Sequence, residues 1–100
     1  MITSKQRAFL RKLANQIEPI FQIGKSGIGD ELLNQLSNAL EAREIVKVHV
    51  LETAMLDIKS ACNLVSEALG AEPVQAIGSK FVIYRQAKKP QERKIELPKK

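Results

Sequence analysis

The segment from Ile45 to Leu51 leaves this chain the fewest options. Val46, Val48 and Val50 alternate with Lys47 and His49, so an extended strand places three β-branched side chains on one face and polar ones on the other. A strand of that kind belongs to a sheet covered on one side only. Every other patterned segment has to be arranged around that sheet.

Before it, Thr3 and Gln6 have capping-box spacing, and Leu10, Leu13, Ala14 and Ile17 repeat at helical intervals, which predicts a first helix over about Ser4 to Asn15. At roughly 100° per residue its basic residues lie away from the apolar stripe, Arg7 with Arg11 on one flank and Lys5 with Lys12 on the other. That is either a cationic binding face or an ordinary solvated one. Pro19 ends the helix, Ile20 to Ile23 forms a short strand, and Gly24-Lys25-Ser26-Gly27 is a loop. Leu32, Leu33, Leu36 and Leu40 then mark a second helix from about Asp30 to Ala42. A third carries Met55, Ile58, Ala61, Cys62, Val65 and Leu69, with Gly70 placed for a left-handed cap. Two strands follow, Val74 to Ile77 and Lys80 to Arg85, joined by Gly78-Ser79 as a two-residue hairpin turn.

The predicted order is α-β-α-β-α-β-β, an α/β chain of the two-layer α+β type. Its four-stranded mixed sheet carries the helices on one side, and its first two strands are parallel because a helix joins them. Residues 1–86 form the domain, and residues 87–100, with high charge and little periodicity, read as a basic, mobile C-terminal tail.

Charge is distributed unevenly. Residues 1–12 carry a local +4, residues 13–84 a local −4 and residues 85–100 a local +5, so an acidic body lies between basic ends and the net charge is +5. A polyanionic partner fits that pattern, as do merely solubilising ends. A single cysteine excludes both a disulfide framework and a cysteine-based zinc site; Cys62 reads as a buried structural thiol, and no metal or cofactor is expected. No run approaches the ~18 apolar residues of a membrane span, and no signal-peptide pattern opens the chain, so a cytoplasmic monomer without a membrane or small-molecule ligand is expected. His49 has no triad or metal company, and the carboxylates form no recognisable pair, so catalysis is not expected.

Gly24-Lys25-Ser26 lies between a strand and a helix, as in a nucleotide-binding P-loop, but the glycine required five residues earlier is Pro19. The loop suits another use. Flanking glycines permit positive φ and close approach, the helix behind presents unpaired N–H groups, and Lys25 adds a mobile cation, so a phosphodiester could be gripped without reading its base. A plain strand-to-helix turn is the competing reading. Among the aromatics only Tyr84, beside Arg85, is a candidate for stacking on a base, and an ordinary strand aromatic competes with that.

Taken together, Thr3-Ser4-Lys5-Gln6-Arg7 with Leu10 and Leu13, Ile23 to Gly27, Ile45 to Val48 and Gln75 to Arg85 make the chain resemble the bacterial YhbY proteins, the stand-alone form of the CRM (chloroplast RNA splicing and ribosome maturation) domain. The likeness extends to the tail ending Lys94-Ile95-Glu96-Leu97-Pro98. It implies a fold like the C-terminal domain of translation initiation factor three, association with ribosomal RNA in precursors of the large ribosomal subunit, no catalysis, and an RNA-binding surface that includes Gly24, Lys25, Ser26 and Gly27. The basic ends, with Lys5, Arg7, Arg11, Lys12, Arg85, Lys88 and Lys89, and the last strand, with Lys80 and Tyr84, complete that candidate surface. Gly29 departs from the hydroxyl residue common at its position, which leaves Asp30 to cap the second helix or complement its dipole. The alternative is a protein-interaction module that docks on an acidic assembly or ribosomal protein.

Overall fold

The computed structural model describes residues 2–99. Its elements are α1 (Ser4–Ala14), β1 (Phe21–Ile23), α2 (Asp30–Arg43), β2 (Ile45–Val50), α3 (Ile58–Leu69), β3 (Glu72–Ile77) and β4 (Lys80–Tyr84), with single 3-10 turns at Glu52–Ala54 and Pro90–Glu92. The order is the one expected. The sheet runs β1-β2-β4-β3, with β1 parallel to β2 and the other neighbours antiparallel.

Local chemistry explains the boundaries. Thr3 and Gln6 close a reciprocal capping box on α1. α3 starts at Ile58, later than the apolar spacing suggests, because Met55 takes a left-handed φ of 53° and the Asp57 carboxylate accepts from the Ser60 N–H as the cap. Gly70 closes the same helix at φ 63°, as its position predicted.

The layering corrects the expectation of helices on one side. Val46, Val48 and Val50 join Phe81 and Ile83 under α2 and α3, where Leu36, Leu40, Ala61 and Val65 complete the larger core. The opposite face is covered too, over part of its length. There Leu10 and Ala14 of α1 pack on Ile45, Val74, Val82 and Tyr84. The alternation in β2 misled because Lys47, one of two polar residues of β2 on this face, is used by α1: its ammonium donates to the carbonyls of Ala14 (3.1 Å) and Ile17 (3.3 Å), closing the helix C-terminus. A lysine that caps a helix looks in sequence like a lysine that faces water.

Glu44 joins the elements at one end of this sheet. It follows α2 with φ 68° and is fully buried. Its N–H donates to the Leu40 carbonyl and its own carbonyl accepts from Arg85 N–H. Its carboxylate accepts from the backbone N–H groups of Ala87 (2.8 Å), Lys94 (2.6 Å) and Ile95 (2.8 Å). Burial pushes this carboxyl up, but the three N–H donors and the nearby Arg93 outweigh it and hold the group below the usual carboxylate range. The segment after Ala87 is thereby tied down, and Ile95 and Leu97 pack against the α1 core while the Gln6 side-chain amide donates to the Pro98 carbonyl. Backbone donors leave no periodic trace, which is why this segment reads from sequence as a loose tail.

Two measurements follow. Glu44→Gln should cost about 1–3 kcal/mol at neutral pH, read as a lower Tm, because the amide keeps one accepting oxygen and turns an NH2 donor toward the N–H groups that the other oxygen served. A carboxyl held below its unfolded value contributes stability that is present above about pH 4.3 and lost as the pH falls through the folded value. The wild type should therefore lose stability below that pH, and Glu44→Gln should lack this part of the slope. Truncation after Ala87 should lower the Tm by several degrees, an expected cost of about 1–3 kcal/mol; an unchanged Tm would show that the segment contributes nothing to the fold.

Candidate nucleic-acid interface

The loop between β1 and α2 is a tight turn closed by Gly27 N–H donating to the Gly24 carbonyl at 2.9 Å. Lys25 and Ser26 stand exposed at its tip. Of the two glycines only Gly27 has a left-handed φ, 70°, with open space around the place of a Cβ. Gly24 does not have a positive φ, and a Cβ there would meet Leu51 Cδ1 at an ordinary 3.5 Å. The freedom expected of both glycines is needed only at the second.

Behind the loop, Gly29 begins α2 with no side-chain cap, so Asp30 does not replace the missing hydroxyl. Asp30 and Glu31 instead occupy the first turn, where their charges complement the helix dipole. The groove beside the loop is lined by Gln22, Lys25, Ser26, Asp30, Glu31 and Gln35. One cation facing two carboxylates makes the groove a poor seat for an anion. The attractive point is the exposed Lys25-Ser26 tip of the turn. Gln22 and Gln35 escaped the sequence reading; only the position of Gln22 between inward-facing Phe21 and Ile23 could have signalled it.

The other candidates fall into distinct groups. Lys5, Arg11 and Lys12 are exposed on α1. Lys80, partly exposed, lies in the sheet face opposite α2 and α3, paired with His49 and Ile77. Lys88 and Lys89 are exposed beside the last turns of α2, where their N–H groups donate to Glu41 Oε2. Eleven residues of helix, about 16 Å, separate Glu41 from the helix start beside the loop.

Three candidates are engaged inside the fold. Arg7 donates to the Pro73 carbonyl at 3.1 Å and lies 4.0 Å from Glu72. The Arg85 guanidinium binds the carbonyls of Leu69 (3.0 Å) and Ser37 (2.9 Å) and the Ser37 hydroxyl (3.1 Å), fastening the end of α3 to α2. Tyr84 is 4% exposed within the α1 core, where burial and the Glu44 carboxylate push its hydroxyl up in pKa while Arg93 pulls the other way. Its ring is not presented for stacking in this conformation.

Cys62 is buried, as expected, and burial pushes its thiol up to about 11 against a smaller opposing effect of Ser66, so the nucleophilic thiolate is scarce at neutral pH. Among the described residues no cluster of His, Cys, Asp or Glu could hold a metal ion, and no helix is long and apolar enough to cross a membrane.

An α-β-α-β-α-β-β module with a lysine-tipped GxxG turn ahead of its second helix, and with exposed cations on α1 and beside the end of α2, defines the class of protein. The chain belongs to the CRS1 / YhbY (CRM) domain family, whose model matches residues 2–85. It is 40% identical to the Bacillus subtilis (strain 168) protein named Probable RNA-binding protein YqeI over 98 residues, covering 98% of this chain and 100% of that one. It is 32% identical to a Haemophilus influenzae protein named RNA-binding protein, over 99% of this chain and 97% of the relative. The solution structure of the hypothetical protein SAV1595 from Staphylococcus aureus superposes with a TM-score of 0.75 at 45% identity, covering 98% of this chain and 100% of that chain.

The turn geometry separates stability from charge. Lys25→Glu should leave the Tm close to wild type, within about 0.5 kcal/mol, since any gain from an acid near the α2 dipole is offset by repulsion from Asp30 and Glu31 beside it. Gly27→Val should cost about 1–3 kcal/mol through backbone strain at positive φ, with no steric clash to add. A Tm for Gly27→Val equal to wild type would show that the turn relaxes freely.

Proposed function

We propose that this protein is a non-catalytic RNA-binding module, engaging RNA through the tip of the Gly24–Gly27 loop and the exposed cations of α1, the sheet and the C-terminal segment. The observation that carries the reading is the Gly27 turn, which leaves Lys25 and Ser26 exposed at the loop tip ahead of α2. A phosphodiester can meet the exposed Lys25 side chain there. The names of the Bacillus and Haemophilus relatives agree with RNA as the ligand.

The resemblance to YhbY proteins narrows the proposal to structured ribosomal RNA in precursors of the large subunit, bound in the cytoplasm by a monomer acting as an assembly factor. Distribution of the cations supports a folded RNA over a simple extended strand. Lys25 precedes α2, the Lys88-Lys89 pair lies beside its last turns about 16 Å along the helix, and the α1 cations belong to the helix over the other sheet face.

Binding to a fluorescein-labelled hairpin RNA with a single-stranded extension should fall with salt. With about four to six phosphates neutralised, log K against log salt should slope at roughly −3 to −5, and a slope near zero would remove phosphate contact from the account. Lys25→Glu should weaken this binding more than Lys89→Ala does. Wild-type affinity in Lys25→Glu at low salt would make the loop an ordinary turn. Ribonuclease treatment of native complexes should release the protein from large-subunit precursors; retention would favour docking on an acidic protein instead.

A further inference from the structure

The face of the sheet that α1 covers is covered only in part. α1 ends over Lys47, whose ammonium is held by the Ala14 and Ile17 carbonyls. Two residues further along β2 is His49, and the register carries its row across the whole sheet: Gln22 pairs with His49, His49 with Lys80, and Lys80 with Ile77. Directly paired residues project on the same face, and Val48 and Val50, the neighbours of His49, face the α2–α3 core. The row therefore lies on the α1 side, beyond the end of the helix. Gln22 is exposed, His49 and Lys80 are partly exposed, and Ile77 is 65% exposed.

We propose that this row is a base-contacting surface for unpaired nucleotides, continuing from the phosphate contact at the Gly24–Gly27 loop. The inference rests on the RNA-binding reading of that loop and adds what the protein takes beside it. Continuity comes through Gln22, which lines the loop groove and also begins the row. The chemistry fits a splayed single strand. The Gln22 amide and the His49 ring offer donors and acceptors to base edges, the His49 ring and the Ile77 side chain give flat and apolar area for stacking, and Lys80 supplies a cation for the backbone. None of the four positions is acidic. With strands about 4.8 Å apart, the row extends about 14 Å, room for a short unpaired stretch, whereas paired bases would hide their edges from it.

The experiment compares two labelled probes, an unstructured 16-nucleotide RNA and a perfect 16-base-pair RNA duplex, with wild type, Gln22→Ala/His49→Ala and Lys25→Glu, each checked for an unchanged thermal transition. The double variant should lose about tenfold in affinity for the single strand and less than twofold for the duplex, while Lys25→Glu weakens both. If the double variant binds the single strand as wild type does while Lys25→Glu is weakened, the base-contacting row is overturned and the loop reading stands. If Lys25→Glu binds both probes normally and the double variant loses the single strand, the loop reading fails and the row stands by itself. Photocrosslinking of unaltered protein to the single strand carrying 4-thiouridine gives a readout independent of folding of the variants. Adducts on the peptide strands bearing Gln22, His49 or Ile77 support the proposal, and adducts confined to α1 and the C-terminal segment overturn it.

Discussion

The buried carboxylate of Glu44 is the constraint on which the two sides of this molecule depend. An ionised acid taken out of water is costly, and it persists because three backbone N–H groups take the place of water. Those donors come from the C-terminal segment, so the end of α2, the start of β2, the exit of β4 and the last residues of the domain converge on one side chain. The positive φ at Glu44, unusual for a residue with a Cβ, is the conformational cost of turning directly from helix to strand there. Removing the charge loosens several elements at once, whereas removing any one donor leaves the others in place.

A second consequence concerns how positive charge is divided. Lys47, Arg7 and Arg85 each give donors to backbone carbonyls, Lys47 at the end of α1, Arg7 on β3, and Arg85 at the end of α3 and within α2. These cations close helices and join layers, and they are not available to a ligand without breaking those bonds. Lys5, Arg11, Lys12, Lys25, Lys88 and Lys89 are exposed. The formal charge of +5 therefore overstates the uniformity of the surface: the same residue types serve as struts in one place and as open charge in another.

That division marks what was legible in the sequence. Element order, the mixed sheet, the Thr3 cap and the Gly70 stop were readable because each rests on spacing or on a residue with few conformational choices. The side of the sheet taken by α1 was not readable, since Lys47 and His49 occupy equivalent positions in the alternation and differ only in whether a helix reaches them. Arg85 and Tyr84 looked like ligand-facing residues because a strand end rich in charge and aromatic character is the same pattern whether it faces solvent or packs against α2 or α1. The docking of Lys94 and Ile95 was hidden for another reason, because it is made by backbone atoms that every residue has. The loop was legible as a motif, while its geometry distinguished a glycine required by φ from one that is not.

The length of α1 links stability to the exposed surface. Its apolar stripe covers Ile45, Val82 and Tyr84, which would otherwise leave the second face of the sheet an open hydrophobic patch. It stops at Lys47, so that beyond it the face can carry polar side chains without any being buried unpaired. An additional turn of α1 in the same direction would bring the helix toward His49 and Lys80, burying an imidazole and an ammonium that have no hydrogen-bond or ion-pair partner among the described residues. A shorter α1 would expose Leu10 or Ala14, both fully buried. The cap made by Lys47 fixes the helix between those two costs, and the polar row next to the loop remains uncovered because of where that cap falls.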